Sequence, residues 1–106
     1  MNTEERFLKA VKENYQKAMQ QNVRISPREL AELKNGTFLK NVRDRTTKNR
    51  VSDSFDTLSE AGLLQWSVEA LVTDSRFGAL FTDAQADFCL QVLLDEGFYG
   101  TVPGKG

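Results

Sequence analysis

Histidine is missing from all 106 residues of the chain. Its absence removes the commonest general base, the usual partner of a nucleophilic serine or cysteine, and the commonest zinc ligand. Most hydrolytic mechanisms thereby lose their centre. One cysteine, Cys89, excludes an intramolecular disulfide and leaves stability to packing, as expected in a reducing compartment. No apolar run approaches the length of a membrane span, and Met1-Asn2-Thr3-Glu4-Glu5 lacks the basic-then-apolar order of a secretory leader. The expected location is therefore cytoplasmic, with no membrane partner. Asn35-Gly36-Thr37 matches a glycosylation acceptor in form, but in a chain that is not secreted Asn-Gly reads as a turn.

Phosphate-binding loops are also lacking. Gly97, Gly100, Gly104 and Gly106 have neither the strand before them nor the helix after them that a nucleotide cradle requires. There is no Asp-x-Asp-x-Asp-Gly calcium loop. Asp53, Asp56 and Glu60 could meet only if a helix began early, and acids at helix starts are already explained by capping. Cys89 falls in an apolar stretch, where desolvation suppresses the thiolate. The sequence therefore assigns no catalytic residue, no cofactor and no metal ligand, and the expectation is a protein that is not an enzyme.

Helical periodicity dominates what is present, because apolar residues recur three and four apart while period-two alternation is nearly absent. Phe7, Leu8, Val11, Tyr15, Ala18 and Met19 form a stripe on a first helix over residues 4–21, with Thr3 as its expected cap. Ser26-Pro27-Arg28-Glu29 opens a second helix that carries Leu30 and Leu33 inward and stops at Asn35-Gly36. Phe38, Leu39 and Val42 give a third helix to about Thr46. A polar connector around Phe55 leads to a fourth over residues 57–72, and Asp74 caps a short turn through Phe77. Thr82 and Gln85 open a last helix to Glu96, in which Phe88, Cys89, Leu90, Val92, Leu93 and Leu94 leave only Gln91 polar. So apolar a segment reads as the central core element.

The predicted fold is all-α, a compact bundle of four or five helices. Residues 1–100 form a single domain, in which Phe98 and Tyr99 could dock, and residues 101–106 form a short flexible tail.

Charge is segregated along the chain. Residues 1–33 carry six basic and five acidic side chains, residues 34–50 carry six and one, and residues 51–106 carry two and nine. The basic segment of Lys34, Lys40, Asn41, Arg43, Arg45, Lys48 and Arg50 is the candidate binding region. It has three readings: a face that is solvated or paired with the acidic half, a surface for a protein partner, or a nucleic-acid contact. Residues 25–50 have the cadence of a degenerate helix-turn-helix, with Val42 inward and Lys40, Asn41, Arg43, Asp44 and Arg45 facing DNA. The leading expectation is a small helical interaction or regulatory protein that binds a macromolecule, a protein partner or a second copy of itself. The alternative is a small DNA-binding regulator using residues 25–50.

Overall fold

A computed structural model describes residues 1–98, and all regular structure among them is helical. The α-helices are α1 (Thr3–Gln20), α2 (Pro27–Asn35), α3 (Phe38–Thr47), α4 (Phe55–Glu60), α5 (Val68–Val72) and α6 (Asp83–Asp95). Two 3₁₀ segments, Leu64–Trp66 and Ser75–Leu80, flank α5. The expected all-α fold is thus observed. The expectations for Tyr99 and for a flexible tail at 101–106 lie outside the described residues.

Helix ends follow local chemistry. Asn2, rather than Thr3, caps α1, with Glu5 returning the bond to the Asn2 amide in a reciprocal box. Thr82 and Gln85 form the same box at α6, and Ser26 caps α2 with Pro27 in its first turn. Asn22, Gly36, Asn49, Gly62 and Gly97 all have positive φ just past a helix end. In each case the next amide reaches back to close the last turn, as in Val23 to the Ala18 carbonyl at 3.0 Å and Leu63 to that of Leu58 at 2.9 Å.

The expected helix over 57–72 is instead α4, the Leu64–Trp66 turn and α5. Gly62, at φ 73°, ends the first piece. Ser67 starts the last, its hydroxyl accepting from the Ala70 amide at 3.1 Å. Thr57 and Glu60, whose spacing in the sequence is that of a capping box opening the expected helix, lie inside α4, which begins at Phe55, so they form no cap. The break leaves Trp66 half-buried rather than in the core.

The core is built around α1, which packs against α3, α5 and both 3₁₀ segments. Phe7, Val11, Tyr15 and Ala18 are buried along its inner stripe. The Phe7 ring meets Phe77 and Phe81 edge-on, each at 5.4 Å between centroids, and Tyr15 meets Phe38 at 6.4 Å. This corrects the expectation that the Phe88–Leu94 segment sits at the centre. Among the described residues, helix α6 packs chiefly against α3 and α5. Cys89 and Leu93 are buried there, while Leu90 and Leu94 remain 40% and 46% exposed. A seam of polar contacts also holds α6 to α3: Gln85 Nε2 donates to the Arg43 carbonyl at 3.1 Å and to Thr47 Oγ1 at 2.9 Å.

Leu30 is 36% exposed rather than inward, and Glu29 occupies the buried position beside it. The reason is the connector after α3. Its amides have no helix or strand to satisfy them, and carboxylates do so instead. Glu29 Oε1 accepts from the Ser54 amide at 3.1 Å, while Tyr15 donates its hydroxyl to Glu29 Oε2 at 3.1 Å. Glu69, on α5, accepts from the Ser52 amide at 2.6 Å and the Ser52 hydroxyl at 2.9 Å.

Candidate interaction surfaces

Glu29, Glu69, Tyr15, Ser52 and Ser54 form a buried cluster of titratable and hydroxyl side chains. Burial raises Glu69 to about 7 against the pull of the Ser52 hydrogen bonds. Glu29 is raised in the same direction and for the same first cause, opposed by its bonds from Ser54 and Tyr15. Burial and the adjacent Glu29 carboxylate push the Tyr15 phenol above its ordinary value. Such a set could hold and release a proton, the property that marks many catalytic sites. Here both carboxylates are sealed, and their oxygens point at the serines of the connector. The arrangement fixes a loop and offers no face to a substrate. Cys89 is sealed likewise, its thiol raised by burial and then by Glu69.

The basic segment is dispersed over several faces. Lys40, exposed on α3, pairs with Asp44 one turn on at 2.9 Å, which holds Asp44 below the usual carboxylate range. Arg43 is half-buried and donates from Nε to the Leu80 carbonyl at 2.9 Å, towards the start of α6. Arg45 turns the other way and pairs with Glu32 of α2 at 3.4 Å, both side chains being mostly buried. Lys34 lies at the exposed end of α2, and Lys48 and Arg50 follow α3 in the open. Helices α2 and α3 pack together across the Gly36 turn, and Val42 is buried. The two central arginines of α3 nevertheless spend their donors inside the fold.

A cleft of about 450 Å³ gathers Arg28, Arg45 and Arg50 together with Glu32, Asp44 and Asp53, and Asn41 lines it too. Arg28 grips Asp53 through two bonds, at 2.7 and 2.8 Å, and thereby holds Asp53 below its ordinary range. Arg45 Nη1 and Glu32 Oε1 are buried without a protein partner. With three carboxylates facing three guanidiniums the cleft has no net sign, so it does not select phosphate by charge alone. Asp53 is held by Arg28 and Ser26, while Asp56 and Glu60 are exposed on α4. Among the described residues no group of three ligating side chains could hold a metal.

Two apolar surfaces escaped the charge-based reading. The first is the outer face of α6, where Leu90 and Leu94 stand one turn apart among exposed Asp87, Gln91 and Asp95. The second is a groove of about 290 Å³ between α1 and α2, floored by Tyr15 and Leu33 and walled by Met19 and Leu30. Lys12 and Lys34 stand at its rim. The α6 face was legible as an apolar excess too great for a surface helix; the groove depended on Leu30 turning out as Glu29 turned in.

These features define an all-α bundle with two charged-rim apolar surfaces and a sealed polar interior. Compared with family models, curated proteins and solved structures, the chain finds no match in any of the three. Among the described residues no helix is long and apolar enough to cross a membrane.

Proposed function

We propose that this chain is a non-enzymatic interaction protein that acts by binding a protein partner. One observation carries the reading: Leu90 and Leu94 stand 40% and 46% exposed on α6, with carboxylates on either side. An apolar centre with a polar rim is the anatomy of a protein contact surface, in which the buried side chains supply affinity and the rim supplies orientation. Among the described residues, the enclosure of Glu29, Glu69, Tyr15 and Cys89 supports the same reading, because a catalytic acid or base must reach its substrate.

The test is capture from native lysate by the immobilised chain, with and without nuclease, alongside a Leu90→Gln/Leu94→Gln double variant. The expected result is a protein retained in both nuclease arms and lost with the variant. Retention that vanishes with nuclease, survives the leucine changes and falls on Lys48→Ala/Arg50→Ala would replace this reading with the DNA-binding one. Both lysine and arginine in that last variant lie outside the fold's internal ion pairs, so their loss leaves folding intact.

A further inference from the structure

Helix α6 spreads apolar residues over most of its circumference, with Asp83, Asp87, Gln91 and Asp95 as an exposed polar stripe, so more than one side of it calls for cover. Among the described residues, its own chain packs on it chiefly through α3 and α5. The bare side presents two leucines at a spacing of four, the arrangement by which a helix seats in a groove. Its rim is acidic at both ends, with Asp87 one turn before Leu90 and Asp95 beside Leu94.

A receptor of matching chemistry exists on the same molecule. The groove between α1 and α2 is apolar at its floor and walls, and it is shallow enough that Met19 and Leu30 stay 39% and 36% exposed. Its rim is basic, Lys12 from one helix and Lys34 from the other. Among the described residues neither lysine has an ion pair, and neither do Asp87 and Asp95. Apolar centre therefore matches apolar centre, and the carboxylates, of which Asp95 also accepts from Gln91 Nε2 at 2.9 Å, match lysines of opposite sign.

We propose that Leu90 and Leu94 of one copy seat in the Met19–Leu30 groove of a second copy, with Asp87 and Asp95 facing Lys12 and Lys34. The inference rests on the protein-binding reading above and names the partner as another copy of this chain. The two surfaces differ, so the contact is head-to-tail: two copies that exchange it reciprocally close into a dimer, and otherwise assembly continues from copy to copy.

The experiment is sedimentation velocity over a concentration series of the full chain, using three forms besides the natural one. Leu90→Gln/Leu94→Gln removes the knobs, Lys12→Glu/Lys34→Glu makes the groove rim acidic, and Asp87→Lys/Asp95→Lys makes the α6 rim basic. All six positions are exposed, and helical circular dichroism checks that each form is folded. The natural chain is expected to gain mass with concentration, less so at high salt. The leucine variant should weaken association by about tenfold or more. Each charge variant alone should be monomeric, because its two surfaces then carry the same sign. An equimolar mixture of the two charge variants should associate again.

A natural chain that stays monomeric up to about 1 mM overturns the proposal. So does association that survives Lys12→Glu/Lys34→Glu alone, since that result describes α6 packing on α6, and so does association lost in both charge variants that their mixture fails to restore. A monomeric chain that still captures another protein through Leu90 and Leu94 removes this inference while the proposed function stands. A chain that does neither removes both.

Discussion

Glu29 and Glu69 show at the scale of single residues what composition could not reveal. In the sequence, Glu29 is the third residue after a capping serine, a place where a carboxylate is explained by the helix start alone. Nothing local marks that its oxygens satisfy a connector 25 residues further on. The pairing is a matter of tertiary packing, and Glu69 was invisible for the same reason. A carboxyl group whose pKa is higher folded than unfolded holds its proton more firmly in the native state. Unfolding then releases that proton, and stability falls as pH rises from the ordinary glutamate value through the folded one. For Glu69 the window runs from 4.5 to about 7. With no histidine in the chain, no imidazole titration is superimposed on it. Urea titrations should therefore show stability lower at pH 8 than at pH 5 by on the order of 1–3 kcal/mol. Glu69→Gln should flatten that difference, and an unchanged slope would show that the carboxyl is not the source.

Helix starts and stops were the most legible feature at the scale of elements, because caps are local chemistry. Ser26-Pro27 and Thr82 with Gln85 begin helices in the structure as they do in the sequence. The misjudged element, residues 57–72, also carried its signals in Gly62 and Ser67, but a broad apolar pattern outweighed them. Gly62 has a left-handed φ of 73°, and a methyl group placed there would meet nothing within 4 Å. The penalty for alanine is consequently one of backbone conformation alone. Gly62→Ala should cost about 1–2 kcal/mol in a denaturant titration. If it were neutral, the helix could run through this point and the break would belong to something else. By contrast, the helix whose apolar content read as central turned out peripheral. Periodicity tells how much of a helix must be covered, and it is silent on whether the cover comes from the same chain.

The molecule as a whole is organised around α1, and core substitutions should follow that arrangement rather than local hydrophobicity. Phe7 is fully enclosed between Phe77 and Phe81, so Phe7→Ala should cost about 3–5 kcal/mol. Leu90→Ala should change the stability of the dilute chain by less than about 0.5 kcal/mol. Equal costs at the two positions, measured by chemical denaturation, would return α6 to the centre. The all-α class was readable from sequence because it depends on period alone. The fate of the basic segment was not, since that depends on which acceptors fold back to meet it: the Glu32 carboxylate takes Arg45, and the Leu80 backbone carbonyl takes Arg43. The connector between α3 and α4 shows the same inward turn of polar groups. Arg50 stands in the open just before Val51, an inviting place for trypsin, yet Ser52 and Ser54 are tethered from beneath. Cutting needs a stretch of backbone to peel away, so the Arg50–Val51 bond should survive limited digestion in the native chain. Glu29→Gln paired with Glu69→Gln should expose it, turning a digestion-resistant hinge into the first place the polypeptide is nicked.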